Sequence, residues 1–231
     1  MNYKNIKIGE FIDRPNRFIA HVLLDGEAVT VHVKNTGRCK ELLKKGSKVY
    51  LSETDNPERK TKYDLIAVQK VYDDGRCELV NIDSQAPNTA AYEWLKKGEL
   101  FSSSASVRRE VTYGDSRFDL YIEDGERRAF IEVKGVTLER GGFALFPDAP
   151  TERGIKHVSE LAKSIADGYE AYVLFVIQMK GVHTFSPNDE THKAFGDALR
   201  NAYKEGVKIL AYDCIVTEAS IEIDQKINVE L

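Results

Sequence analysis

Cysteine is scarce in this chain, with three in 231 residues: Cys39, Cys77 and Cys214. They are far apart, odd in number and form no C-x-x-C, so neither a disulfide framework nor a zinc site is indicated. The simplest account of Cys77 and Cys214 is a small buried apolar side chain. The five histidines include no H-E-x-x-H or comparable pair. No apolar run approaches the ~20 residues that a membrane span needs. Residues Met1-Asn2-Tyr3-Lys4-Asn5-Ile6-Lys7 lack the hydrophobic core of a signal peptide. A cytoplasmic protein with no membrane partner is therefore expected. There is no internal repeat, no low-complexity tract and no excess of positive charge. Lys and Arg number 33 against 37 Asp and Glu, a net charge of −4. Such a balance excludes a protein that coats nucleic acid over its whole surface. DNA binding would have to come from local basic patches. The candidates are Arg38, Lys40, Lys44 and Lys45; Arg59, Lys60 and Lys62; Arg108 and Arg109; and Arg153 and Lys156.

What is present is an ordinary globular composition, 42% apolar and 30% charged, long enough for one large or two small domains. The first 82 residues read as strands. Residues 17–24 alternate, with Phe18, Ala20, Val22 and Leu24 on one side, and Asp25-Gly26 is a hairpin turn. Residues 28–33, 48–52, 63–71 and 76–82 continue the pattern, with a further turn at Asp73-Asp74-Gly75. Residues 39–45 predict one or two helical turns closed by Gly46. A small barrel with a short helix between its third and fourth strands follows. That order fits an OB-fold, whose sheet often binds nucleic acid, and fits other small barrels nearly as well.

Residues 83–89 form a turn-rich connector containing Pro87-Asn88, short enough that the two halves should pack together. A helix is expected from Thr89 to Lys97, then a loop at Ser102-Ser103-Ser104 and a strand over 107–113. After the two strands discussed next, Thr151 is a good N-cap for a helix carrying Ile155, Val158, Leu161, Ala162 and Ile165. Residues 172–178 are a nearly continuous apolar run, the mark of a buried central strand. Asp189 caps another helix with Phe195, Leu199 and Ala202, and residues 207–212 form a last strand.

Two runs carry the chemistry: Arg117-Phe118-Asp119-Leu120-Tyr121-Ile122 and Phe130-Ile131-Glu132-Val133-Lys134-Gly135. Strand residues i and i+2 share a face, so Glu132 and Lys134 project together and Val133 points away. Asp124-Gly125 signals a hairpin between the runs. A four-residue loop at 124–127 sets Asp119 directly opposite Glu132. A two-residue loop at Asp124-Gly125 sets it diagonal on the same face, and a three-residue loop sends it to the other face. Two carboxylates can hold a hard divalent cation such as Mg²⁺ or Mn²⁺, and the neighbouring lysine can orient water or stabilise developing charge. Asp119 and Glu132 are thus the candidate ligands, with the Val133 carbonyl as a third. Glu110 would either complete the set or pair with Arg108 or Arg109 on a solvent face. The spacing resembles the Asp…Glu-x-Lys signature of the PD-(D/E)xK nuclease superfamily, with Phe118 where that signature often has proline. The element order of the second half, helix, three strands, helix, strand, helix, strand, matches the core of that fold.

Further blocks occur in order along the chain: Asn35-Thr36-Gly37-Arg38, Pro87-Asn88-Thr89, Ser116-Arg117-Phe118-Asp119, Glu132 to Leu138, and Phe146 to His157. With them the chain, from Phe11 to Tyr212, resembles the sugar fermentation stimulation protein A family of prokaryotes. The resemblance implies an OB-fold over 1–82 and a nuclease-like α/β domain over 83–231. It also implies binding of double- or single-stranded DNA with little sequence preference, and a regulatory link to sugar (maltose) metabolism. RNA is a further candidate partner. Arg17, Asn35, Arg38, Lys60, Arg140, Arg153 and Lys156 are the candidate nucleic-acid contacts. Arg153 and Lys156 would sit at a helix N-terminus, which itself favours phosphate. Arg140-Gly141-Gly142 resembles a flexible loop at a backbone-binding site. Catalytic hydrolysis by Asp119, Glu132 and Lys134 and regulation by binding alone are the two readings of function.

Overall fold

In the computed structural model, which describes residues 1–35 and 37–231, the alternation of the first half is realised as a barrel. Its strands are β1 (Ile6–Asn16), β2 (Ile19–Leu24), β3 (Glu27–Val33), β4 (Lys48–Glu53) and β5 (Tyr63–Val71), with β6 (Cys77–Asn81) added outside. The order is β3-β2-β1-β4-β5-β6, and β5 pairs back to β3 in parallel through His32↔Asp64 and Val33↔Leu65. That closure makes a five-stranded OB-like barrel filled by Ala20, Val22, Val31, Val49, Leu51 and Leu65.

Four details differ from the sequence pattern. The long strand β1 is hard to read because two register shifts interrupt its pairing with β2 and Pro15 lies within it. The helix expected at 39–45 is a single turn, in which Leu43 N–H donates to the Cys39 carbonyl at 2.9 Å. Seven residues stopped by Gly46 give little beyond the costly nucleation of a helix, and the burial of Leu42 and Leu43 anchors the turn instead. Phe18 is not in the core. It lies in the turn before β2, 52% exposed, with the Arg17 guanidinium 5.7 Å from its ring centre. Cys77 is exposed at the start of β6, whereas Cys39 and Cys214 are buried.

The second half runs α1 (Ala86–Lys96), β7 (Ser106–Tyr113), β8 (Ser116–Asp124), β9 (Arg127–Val136), β10 (Leu138–Arg140), β11 (Phe143–Phe146), α2 (Glu152–Ala166), β12 (Glu170–Ile177), β13 (Thr184–Pro187), α3 (Asp189–Lys204), β14 (Lys208–Val216), β15 (Ile221–Lys226) and β16 (Asn228–Val229). Helix α1 starts inside the expected connector because Pro87 fits the first helical turn, where its missing N–H is no loss. A six-stranded mixed sheet has the order β15-β14-β12-β9-β8-β7. In it β9, β12 and β14 are parallel. Phe130, Val173 and Phe175 pack on one face with Val158 and Leu161 of α2 and Phe195 and Leu199 of α3. Ile131 and Leu174 pack on the other with Ala90, Trp94 and Leu95 of α1. Strand β12 is covered on both faces, hence its continuous apolar run.

Strands β10, β11, β13 and β16 form a second, four-stranded sheet that periodicity did not reveal. Gly141 and Gly142 are therefore not a loose loop. They are the two-residue turn between β10 and β11, with φ of 58° and 85°, the left-handed pair that a tight hairpin favours.

The halves are joined by polar bonds. Gln178 Nε2 donates to the Asn81 carbonyl at 3.1 Å, to Asn81 Oδ1 at 2.8 Å and to the Asp83 carbonyl at 3.1 Å. Lys34 pairs with buried Asp83 at 2.8 Å. The chain's first residues also reach the C-terminal half, where Tyr3 N–H donates to the Ala219 carbonyl at 2.7 Å. Among the described residues no helix is long and apolar enough to cross a membrane.

Candidate active site

The β8–β9 hairpin turns at Gly125-Glu126, closed by the pair Asp124↔Arg127. Gly125 has φ 62°, as the first position of a type II′ turn requires. The register is the one expected of a 124–127 loop and sets Asp119 opposite Glu132. The β8–β9 ladder ends one pair earlier, at Leu120↔Ile131. Alternation along β8 is interrupted there: Phe118 and Tyr121 both pack on the α2 side, Leu120 and Ile122 on the α1 side. Asp119 thus turns into the gap between the strands. Its Oδ2 accepts from Val133 N–H at 2.7 Å, and its Oδ1 accepts from Asn88 Nδ2, in the first turn of α1, at 2.7 Å. Burial, with the charge of Glu132 second, pushes the Asp119 carboxyl up to about 6 against the opposing pull of these bonds and Lys134.

Glu132 is 2% exposed. Its Oε1 receives Lys134 Nζ at 2.6 Å and His157 Nδ1 at 2.6 Å. Burial works to raise its pKa, but the His157 and Lys134 bonds outweigh burial and hold it below the ordinary carboxylate value. Its Oε2 is buried and has no hydrogen-bond partner among the described residues. The tautomer of His157 follows from its neighbours. Arg153 Nε, which can only donate, lies 3.2 Å from His157 Nε2. Nε2 is therefore the acceptor, and Nδ1 carries the proton given to Glu132.

Local contacts fix the elements that place these groups. Thr151 caps α2 by accepting from Gly154 N–H at 3.0 Å, which fixes the first two turns carrying Arg153, Lys156 and His157. Gly135 must lack a side chain, because a Cβ there would lie 2.5 Å from Gln178 Oε1 and 2.7 Å from Pro87 Cγ. Beside it a cavity of about 150 Å³ separates barrel and sheet, lined by Asn35, Gly37, Gly135, Thr137, Asp148 and Gln178. The blocks containing Asn35-Gly37-Arg38, Glu132 to Leu138 and Phe146 to His157 meet around it; Thr36 lies outside the described residues.

Of the remaining candidates, Val133 is buried with its N–H engaged by Asp119. Glu110 does not join the cluster. Its side chain is 65% exposed and lies 3.5 Å from Arg117, not from Arg108 or Arg109. The β7–β8 pairing passes it by, with Arg109↔Leu120 and Val111↔Phe118 on either side, and its φ is 54°. Arg17, Asn35 and Arg38 gather at one end of the barrel around Arg14. The Arg14 guanidinium donates to the carbonyls of Arg17, Asn35, Gly37 and Arg38. Arg38 N–H donates to Asp148 Oδ2 at 3.1 Å, tying that end to the sheet domain. Lys156 Nζ donates to the Asp115 carbonyl at 3.1 Å. Arg140 reaches Glu190 at 3.2 Å. Lys60 stands exposed on the β4–β5 loop. Asn88 and His157 were given no site role by the sequence pattern, although both fall inside the family blocks. Among the described residues no group of three or more His, Cys, Asp or Glu stands together to hold a metal. Two carboxylates with main-chain oxygen and water remain as the donor set.

An OB-like barrel fused to a mixed α/β sheet with Asp, Glu and Lys on two central strands defines the class of this protein. The chain belongs to the sugar fermentation stimulation protein family: residues 12–82 match the SfsA N-terminal OB domain and residues 85–220 the sugar fermentation stimulation protein RE domain. It is 56% identical over 231 residues to a sugar fermentation stimulation protein homolog of Ruminiclostridium cellulolyticum, covering 100% of both chains. It is 58% identical to the homolog of Desulfitobacterium hafniense strain Y51, covering 100% of this chain and 99% of that one. The structure of Pyrococcus furiosus SfsA in complex with Ca²⁺ superposes with a TM-score of 0.87 at 27% identity, covering 100% of this chain and 98% of that one.

Proposed function

We propose that the chain binds DNA with little sequence preference and hydrolyses phosphodiesters at Asp119, Glu132 and Lys134 with a divalent cation, Mg²⁺ or Mn²⁺. The observation that carries this reading is Glu132 Oε2, a buried oxygen of an ionised carboxylate with no partner among the described residues, beside a second carboxylate. A buried carboxylate oxygen left without a partner is costly even when its twin is paired, and a hard cation suits two carboxylates and a carbonyl. Glu132 through Oε2 and Asp119 would hold it, with the Val133 carbonyl as a third oxygen. The Ca²⁺ of the Pyrococcus furiosus relative supports a divalent ion. When bound, the ion supplies acidification of water and neutralisation of phosphate charge. Lys134, 2.6 Å from Glu132 Oε1, donates to the attacking water or to the phosphate oxygens as negative charge develops. Arg153 and Lys156 add positive charge at the start of α2. Arg17, Asn35 and Arg38 extend the phosphate contacts onto the barrel, with Lys60 and Arg140 on its flanks.

One observation favours a second reading, a non-catalytic DNA-binding regulator of sugar metabolism genes. The Lys134 ammonium is already bonded to Glu132, as it would be in a cluster kept for structure alone. Incubating duplex DNA, single-stranded DNA and RNA with Mg²⁺ or Mn²⁺ separates the two. Cleavage by wild type that disappears in Glu132→Ala supports hydrolysis. Binding without cleavage of any substrate leaves the regulator.

A further inference from the structure

His157 is 8% exposed and both of its ring nitrogens are engaged, Nδ1 with Glu132 Oε1 at 2.6 Å and Nε2 with Arg153 Nε at 3.2 Å. With no lone pair left over, it is not a third metal ligand. Phe118 packs edge-on against the ring, 6.5 Å between centres, so the imidazole is also held in orientation. Among the described residues Glu132 has two holders on Oε1 and none on Oε2. Lys134 is one holder, but its flexible chain is the group that must turn toward water or phosphate if hydrolysis occurs. The imidazole cannot leave.

We propose that His157 is the positioning residue of this site: its Nδ1–H fixes Glu132 so that Oε2 alone is offered to the divalent cation, and Arg153 sets the tautomer that makes this bond. The proposal rests on the reading of Glu132 as a metal ligand. A hydrogen bond behind a ligand of this kind typically governs tenfold to a hundredfold of metal affinity. It also explains how Lys134 can swing away without releasing the carboxylate.

The test is calorimetric titration of Mn²⁺ into the full chain and into His157→Asn, His157→Gln and His157→Ala, with circular dichroism to confirm folding. Asparagine presents an N–H near the position of Nδ1, whereas glutamine extends toward that of Nε2. His157→Asn should stay within about threefold of wild type, and His157→Gln and His157→Ala should lose tenfold or more. In a Lys134→Ala background, where His157 is the sole holder, the loss from His157→Ala should be larger still, which a merely structural role would not produce. Wild type that binds Mn²⁺ while folded His157→Ala binds it equally well overturns the positioning role and leaves the metal site standing. Should His157→Ala fail to fold, equal affinities for the Asn and Gln variants overturn it. Wild type that takes up no Mn²⁺, even with DNA present, removes the metal reading and this proposal with it.

Discussion

Asp119→Asn should make the metal-free protein more stable at neutral pH, not less. The carboxyl of Asp119 titrates near 6 in the fold against 3.8 in an ordinary aspartate, because it is buried beside Glu132. A carboxyl whose pKa is raised by folding contributes stability that is complete below 3.8 and lost as pH rises through about 6. At ~1.4 kcal/mol per tenfold change in proton affinity, the loss comes to at most about 3 kcal/mol above pH 7. The amide removes that charge and can keep both bonds. Its carbonyl accepts from Val133 N–H, and Asn88 turns its own amide to accept from the new NH₂. The variant should therefore exceed wild type by about 2 kcal/mol at pH 7.5 in chelator, the difference shrinking toward zero at pH 4. With excess Mn²⁺ the order should reverse, since only wild type gains binding energy in the native state. Urea denaturation from pH 4 to 8, with and without Mn²⁺, measures both effects. A variant less stable than wild type at pH 7.5 in chelator, by an amount that does not change with pH, would refute the reasoning.

Lys134→Ala should leave Mn²⁺ affinity within about threefold of wild type while abolishing cleavage, whereas Glu132→Ala should lose both; titration beside a nuclease assay reads each. Gly135→Ala should destabilise the chain by about 1–3 kcal/mol in urea, because its Cβ would press on Gln178 and Pro87. DNA affinity should fall steeply with salt and differ little among unrelated sequences, since the contacts proposed are to phosphate; a flat salt series in a filter-binding or anisotropy assay would count against it.

The legible parts of this fold were those where one physical rule acts alone. Residues 172–178 announce a doubly covered strand, and Thr151 with the spacing of Val158 and Leu161 announces a capped amphipathic helix. Glu132 and Lys134 were readable because strand parity puts them on one face, and Asp119 because the hairpin register brings it level with Glu132. The misses came where rules competed. Strand β1 carries Pro15 and two register shifts, so its alternation is broken. The 39–45 segment has helical composition but is too short to hold a helix without tertiary anchoring. Asp119 itself reaches its site by a break in alternation, which no period-2 reading contains. His157 and Asn88 lie 25 and 31 residues from the carboxylates they bond, so only the fold could assign them.

That break in alternation has a chemical consequence. If the β8–β9 ladder continued past Leu120↔Ile131, Val133 N–H would have a backbone partner and Asp119 would stand upright on the sheet face. Ending the ladder converts a main-chain donor into a fixed seat for a carboxylate, which costs less entropy than a side-chain donor would. The two acids then experience different surroundings. Glu132 is held ionised by an imidazole and an ammonium, while Asp119, buried on neutral donors and beside that negative charge, titrates near 6. Neighbouring carboxylates with separated proton affinities are a means of keeping one charge constant while the other answers to what binds. In this chain the carboxylate held ionised is the one whose Oε2 has no partner among the described residues, and the one with the raised proton affinity is seated on β9 itself, next to the lysine.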